Sequence, residues 1–148
     1  MKDFVPPSIE QQLNALSTLA WNEHTSPRCI KLAWAVTNQD PDPRSRVHSI
    51  LDELNRRFKY RPDPIARETM GPVPWSGGYV DVDDACLFLA FLAMAVGIRC
   101  RIVGARMGKC WTCFVACELD GFWECFDPLR QPRVMEIVFD EWLVGVMP

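Results

Sequence analysis

One segment of the 148-residue chain, residues 85–98, constrains the fold more than any other. It reads ACLFLAFLAMAVGI and carries no charged side chain, so a helix formed by it is apolar on nearly every side. The run is shorter than the ~18 residues that a membrane-spanning helix needs. Asp81 is a suitable N-cap, Asp83 and Asp84 suit the first turn, and Gly97 ends the pattern. We therefore predict a central helix that is buried inside a globular domain.

Three amphipathic helices are predicted before this segment. Residues 8–21 place leucines at helical spacing, and Ser26-Pro27 offers an N-cap followed by proline for a helix that reaches residue 36. A third helix begins at Arg44, and its apolar stripe ends at Phe58, so residues 1–58 form a helical N-terminal part. Residues 59–80 contain four prolines and three glycines and are predicted to form a loop.

After Gly97 the pattern predicts strands over residues 98–103, 111–119 and 122–126. Asp120-Gly121 lies between the last two and is a strong signal for a two-residue hairpin turn. Both faces of this hairpin are apolar and need cover, from the central helix on one side and from the N-terminal helices, the tail or another protein on the other. The predicted fold is α+β, with the N-terminal helices and the central buried helix packed on an antiparallel sheet of three to five strands. Residues 131–148 are predicted to be a C-terminal docking segment.

The composition favours a globular protein that does not bind nucleic acid. Sixteen Lys and Arg against 19 Asp and Glu give a net charge of −3, whereas general nucleic-acid binders are basic. Seven cysteines, several of them within apolar runs, are expected to be reduced and buried rather than paired in disulfides. Residues 1–7 lack the pattern of a signal peptide. These features favour a cytoplasmic protein, or part of a virion assembled there.

An ordered set of short motifs resembles the transglutaminase-like family, in which a papain-like helix packs on an antiparallel sheet. The motifs are Asp83-Asp84 at the start of the predicted central helix, Gly97-Ile98-Arg99-Cys100-Arg101 after it, Asp120-Gly121-Phe122-Trp123 at the hairpin turn and Phe126-Asp127-Pro128 behind it. Upstream, residues 58–64 are similar to the short members found in phage and prophage genomes. The resemblance implies one transglutaminase-like domain over residues 1–148, with the core helix and hairpin at 81–130.

The chemistry of that family depends on a cysteine, a histidine and an aspartate, and the resemblance finds only the aspartate in this chain. The family's cysteine corresponds to Val82, its histidine to Thr112 and its aspartate to Asp127. Hairpin register supports the last two, because a two-residue turn brings Asp127 diagonal to Thr112 on one face. Valine cannot act as a nucleophile, and threonine cannot act as a base near neutral pH. We therefore predict an inactive member of the family, which is not an enzyme.

Two alternatives stay open. A displaced thiol such as Cys86, one helical turn after Val82, would make the chain an active cysteine hydrolase or transferase. Its apolar surroundings favour an inert core thiol, and the only histidines, His24 and His48, lie in the N-terminal helices. The second alternative is a metal or iron–sulfur site at Cys110, Cys113, Cys117 and Cys125. Strand alternation opposes it, since residues 113 and 117 face one side and residues 110 and 125 face the other.

A structural or protein-interaction role is what remains for a domain without catalytic groups. The resemblance implies a component of a phage or prophage particle, in its tail, baseplate or connector, or of particle assembly. The expected partners are other proteins, as subunits of a larger assembly, and neither a membrane nor a cofactor is expected. The candidate contact residues are aromatic or basic, namely Trp111, Phe122, Phe126, Trp142, Arg99 and Arg101.

Overall fold

The computed structural model describes residues 7–38, 40–60, 78–129 and 139–148. Within these ranges the chain forms four α-helices, which are α1 (Ile9–Glu23), α2 (Pro27–Thr37), α3 (Pro43–Arg57) and α4 (Val82–Ala95). It also forms six strands, which are β1 (Phe58–Tyr60), β2 (Gly78–Val80), β3 (Cys100–Met107), β4 (Cys110–Leu119), β5 (Phe122–Phe126) and β6 (Glu141–Val144). Short helices thus precede the main strands, as the sequence pattern predicts.

Helix α4 is the buried centre of the fold, as its apolar sequence predicts. Its N-cap Asp81 accepts a hydrogen bond from the backbone N–H of Asp84 at 2.8 Å, and the Asp84 carboxylate accepts one from the N–H of Asp81. Residues 84–93 are all buried, and α1, α2, α3, β3 and β4 pack against them. No helix in the described ranges is long and apolar enough to span a membrane.

The three N-terminal helices begin at side-chain caps that fit their sequences. Ser8, Ser26 and Asp42 each accept a hydrogen bond from the N–H three residues later, which satisfies one of the open donors of a first turn. Proline follows the cap in α2 and α3, where its missing N–H costs nothing. The inward faces of the helices supply buried apolar residues to the core around α4.

A short parallel pair of strands joins the end of α3 to the start of α4. The sequence pattern extends the third helix to Phe58, but α3 ends at Arg57 and Phe58 adopts an extended backbone that begins β1. Strand β1 pairs in parallel with β2, with Phe58 opposite Gly78. The predicted loop at residues 59–80 therefore carries a strand at each end, and residues 61–77 lie outside the described ranges. Three-residue strands are too short for hydrophobic alternation to reveal them.

Four antiparallel strands form the main sheet, in the order β5-β4-β3-β6. The turn at Asp120-Gly121 has positive φ at both residues, 53° and 84°, as the predicted two-residue hairpin requires, and Leu119 pairs with Phe122 across it. The tail adds β6 beside β3, so the described end of the predicted docking segment belongs to this sheet. The prediction of an α+β fold with an antiparallel sheet is confirmed.

The two faces of the main sheet are covered differently. One face packs on α1 and α4, and the contact is so close that a Cβ at Gly104 would lie 3.0 Å from Cδ1 of Leu13. On the other face Phe114 is 1% exposed beneath the rings of Phe139 and Trp142, whose centroids lie 5.7 and 6.0 Å from its own. The tail therefore covers part of the second face, as one of the sequence alternatives predicts.

Candidate functional site

Two thiols meet where the start of α4 packs against β4. The sulfur of Cys113 lies 3.2 Å from the sulfur of Cys86, 3.4 Å from Oδ1 of Asp83 and 3.9 Å from the carbonyl oxygen of Val82. Cys86 is 0% exposed and Cys113 is 4% exposed. We call this region the N-terminal site, and its residues are Asp81, Val82, Asp83, Cys86, Cys113 and Asp127.

The surroundings of the two thiols favour their protonated forms. Burial raises the pKa of Cys86, the hydrogen bond from Cys113 opposes this rise, and the negative charges of nearby carboxylates add to it. Those carboxylates are Asp83, Asp127 and Asp81. The hydrogen bond with Cys86, together with burial, raises the pKa of Cys113 well above its ordinary value. A nucleophilic cysteine needs the opposite environment, a positive potential that favours the thiolate.

The structure brings only part of the predicted catalytic set to this place. Val82 is the first residue of α4, where the resemblance puts the nucleophile. On β4, successive side chains point to opposite faces, so Thr112 and Cys113 diverge, and it is Cys113 that contacts α4. Sequence reasoning missed this contact, although the face that Cys113 shares with the core residue Val115 was a signal for it.

Asp127 lies just after the end of β5, and its negative charge reaches the Cys86 thiol. Its carboxylate accepts a hydrogen bond from the backbone N–H of Leu129 at 2.9 Å. This hydrogen bond forms an Asx turn, in which the side chain of an aspartate bonds the backbone N–H two residues later. Asp127 therefore has a structural contact of its own in addition to its place beside the thiols.

The two histidines lie on different helices. His24 is the C-cap of α1, where its Nδ1 donates to the backbone carbonyl of Trp21 and its ring lies 4.7 Å from the indole. His48 lies on α3 with its ring 6.0 Å from that of Phe126, the residue before Asp127. His48 is therefore the imidazole to test against the thiols of the N-terminal site.

The four cysteines of the metal alternative lie on two faces of the sheet. Strand register puts Cys113 and Cys117 on the helix side, and puts Cys110 and Cys125 on the opposite side. Cys117 instead meets Cys100 of β3, with the two sulfurs 3.6 Å apart. Within the described ranges, no three His, Cys, Asp or Glu side chains are grouped closely enough to hold a metal ion.

The predicted contact residues differ in their access to solvent. Phe122 is 78% exposed and Trp142 44% exposed, and Trp111 is half-buried. Phe126 is only 8% exposed and belongs to the core, so it offers no surface to a partner. It ends β5 on the face that packs on the helices, where its pairing with Val115 places it.

A cavity of about 390 Å³ opens at the other end of α4. Arg99 and Arg101, the last two of the predicted partner-contact residues, line this cavity on either side of Cys100, where β3 begins. We call it the distal pocket, and its lining residues are Trp21, His24, Met94, Gly97, Ile98, Arg99, Cys100, Arg101, Trp123, Met147 and Pro148. Its aromatic and basic lining differs from that of the N-terminal site, which holds thiols and carboxylates.

Comparison with known proteins finds this architecture in two solved structures of candidate proteases. One solved structure, a candidate protease from Parabacteroides distasonis, superposes with a TM-score of 0.61 and 16% sequence identity over 85% of this chain and 30% of that one. Another, a candidate cysteine protease from Cytophaga hutchinsonii, gives a TM-score of 0.60 and 18% identity over 93% of this chain and 44% of that one. The chain therefore shares its fold with these two candidate proteases.

The likeness extends to the fold alone, because the sequence identities are low. The chain spans less than half the length of either solved structure. No family model matches the sequence, and no curated protein does. What the chain does must therefore be argued from its own residues.

Proposed function

We propose that this chain is a catalytically inactive domain of the transglutaminase-like type that acts through contacts with other proteins. The observation that carries the proposal is the N-terminal site. A cysteine enzyme needs a thiolate beside a base, and here Val82 begins the helix while burial and three carboxylates favour the neutral thiol at Cys86. The Cys113 sulfur contacts another thiol, a carboxylate and a backbone carbonyl.

Exposed aromatic side chains support the protein-contact part of the proposal. Phe122 is 78%, Trp123 47% and Trp142 44% exposed, and they lie on β5 and β6. These are the two edge strands of the main sheet. Aromatic side chains that remain in water at a sheet edge are typical of surfaces that a partner covers.

A phage or prophage particle, or its assembly, is the setting that we propose for these contacts. Its support is the resemblance of residues 58–64 and of the motifs after them to the short phage and prophage members of the family. Isolation of the chain from its native host tests this setting. Recovery with tail, baseplate or connector proteins is expected, and recovery with metabolic enzymes alone would contradict it.

Thiol labelling tests the catalytic part of the proposal. The native protein is treated with iodoacetamide at pH 7, and each cysteine is followed over time by mass spectrometry. We expect Cys110, which is exposed, to react first, and Cys86 and Cys113 to react only as fast as the protein opens. Fast alkylation of Cys86 in the folded state would contradict an inert site.

One specific observation keeps an active enzyme as the second candidate. His48 packs on Phe126 next to Asp127, and Asp127 influences the Cys86 thiol. The variant His48→Ala decides the matter when it is compared with His24→Ala as the matched control. If Cys86 reacts quickly and only His48→Ala slows it, His48 activates the thiol and the enzyme candidate is favoured; if Cys86 reacts slowly in the wild type and in both variants, the inactive assignment holds.

A further inference from the structure

The distal pocket lies where three elements of the fold converge. The end of α1 contributes Trp21, the end of α4 contributes Met94, and the start of β3 contributes Arg101. Since the N-terminal site lies at the opposite end of α4, the two do not share a residue. The pocket is therefore separate from Val82, the position where the resemblance puts the catalytic cysteine.

Two half-exposed indoles give the pocket an aromatic rim. Trp21 is 41% exposed and Trp123 is 47% exposed, and the guanidinium carbon of Arg99 lies 5.9 Å from the centroid of the Trp123 ring. A tryptophan at a surface offers a large rigid area to a partner and loses little conformational entropy on contact. Trp and Arg together are the residue types that most often carry binding energy in protein interfaces.

Two arginines line the pocket, and within the described part of the chain only one of them has an acidic partner. Arg99 donates to Glu118 at 2.9 Å, so its charge has a partner. Arg101 is half-buried, and within the described part of the chain no hydrogen bond or ion pair engages its guanidinium. Among the described lining residues there is no Asp or Glu. A guanidinium of this kind matches a carboxylate, which it can bind through two parallel N–H donors.

We propose that the distal pocket binds an acidic segment of a partner protein, with a carboxylate on Arg101 and a neighbouring aromatic side chain against Trp21 and Trp123. The inference rests on the proposed function, because it names the chemistry of the partner. The cavity volume of about 390 Å³ accommodates a large side chain and its neighbour rather than a folded element. A polypeptide also covers the rim, where both indoles remain half in water, whereas a small molecule confined to the cavity leaves them exposed.

Fluorescence anisotropy with a defined probe tests the proposal on the full chain. The probe is a fluorescein-labelled peptide, Gly-Asp-Glu-Phe-Glu-Asp-Gly, and two matched peptides replace either its phenylalanine by alanine or its acidic residues by lysine. We expect saturable binding of the first peptide and at least tenfold weaker binding of the other two. The variants Arg101→Ala and Trp123→Ala should each weaken binding at least tenfold, and the control Arg56→Ala, whose guanidinium pairs with Glu53 on α3, should stay within twofold of wild type.

Three results would overturn the proposal. The first is the lack of saturable binding, and the second is binding that Arg101→Ala leaves within threefold of wild type. If Arg101→Ala unfolds, Arg101→Lys takes its place, because it keeps the positive charge but loses the two parallel N–H donors of the guanidinium. Peptide binding by Arg101→Lys within threefold of wild type would then rule out a bidentate contact. The third is displacement of the peptide by free 3-phenylpropionate at equal concentration, which would indicate a small-acid site. None of these results alters alkylation of Cys86, so failure of this inference is distinguishable from failure of the inactive assignment.

Discussion

The two ends of helix α4 carry opposite chemistry. At its start, Asp81 caps the helix and Asp83 lies beside two buried thiols, so that end is acidic and its thiols are shielded from water. At its finish, Arg46 donates to the backbone carbonyl of Val96 at 2.9 Å, and Arg99 and Arg101 line an open cavity. The same helix therefore has buried thiols among carboxylates at its start and arginines at an open cavity at its end.

The difference follows from what a helix dipole favours. Negative side chains stabilise the start of a helix and positive ones its end, each by about 0.3–1 kcal/mol at exposed positions. A catalytic cysteine at a helix start uses that same positive potential to favour its thiolate. In this chain burial raises the pKa of Cys86, and the negative charges of nearby carboxylates add to that rise, so the thiol stays protonated. Stability and nucleophilic chemistry thus compete for the start of α4, whereas the other end is where we propose that a partner binds.

The largest expected effect tests the core that connects the two ends. Phe88 lies in the middle of α4, is 0% exposed, and packs edge-on against Phe58 and Phe91. Phe88→Ala should lower the free energy of unfolding by about 3–5 kcal/mol, because it removes a large buried ring and leaves a cavity. Urea denaturation measures the loss, with Phe122→Ala, 78% exposed, as the control. A cost for Phe88→Ala no larger than that of the control would mean that α4 is not the structural centre.

The second prediction concerns the two thiols at the start of α4, which should make the free energy of unfolding fall at alkaline pH. The folded protein keeps Cys86 and Cys113 neutral, whereas the unfolded chain loses these protons above the ordinary pKa of 9.0. Their contribution to stability is therefore complete below pH 9 and is lost as the pH rises, at up to about 1.4 kcal/mol per pH unit for each thiol. Urea denaturation between pH 7 and pH 10 should show a shallower decline in Cys86→Ala/Cys113→Ala than in wild type.

Leu87→Ala is the matched control for this slope. Leu87 is 5% exposed on the same helix and has no titrating group, so its truncation should lower stability equally at every pH. An unchanged slope in the double cysteine variant would show that the thiols do not hold raised pKa values. The start of α4 would then not disfavour thiolates, and the two ends would not differ in the way described above.

The sequence predicted the elements of this fold better than it predicted their contacts. The apolar run after Asp81 and the Asp120-Gly121 turn each encode a local structure, so α4 and the β4–β5 hairpin could be found from neighbouring residues alone. Strand alternation puts Cys113 on the core face with Val115, but its contact with Cys86 depends on how α4 lies across the sheet, which alternation does not specify. The distal pocket was beyond reach for the same reason, since Trp21 and Trp123 are brought together only by tertiary packing.

A smaller effect separates two contributions of the N-cap residue Asp81, its hydrogen bond and its negative charge. Asp81→Ala removes the acceptor that holds the N–H of Asp84 and should cost about 1 kcal/mol in the free energy of unfolding. Asp81→Asn keeps an acceptor and removes only the charge, so it should cost no more than about 0.3 kcal/mol. Thermal and urea unfolding of both variants measure the difference. Equal losses would assign the role of Asp81 to its charge rather than to its hydrogen bond.

The smallest expected effect concerns the ion pair beside the distal pocket. The side chain of Arg99 is 71% exposed and that of Glu118 is 29% exposed, and water screens such a pair. A double-mutant cycle of Arg99→Ala and Glu118→Ala should give a coupling energy of about 0.2–1 kcal/mol that falls further in 0.5 M salt. A coupling above ~2 kcal/mol would indicate a desolvated pair that supports the fold. A weak coupling would mean that the pairing of Arg99 with Glu118 contributes little to folding, so a partner's carboxylate could replace Glu118 at small cost in stability.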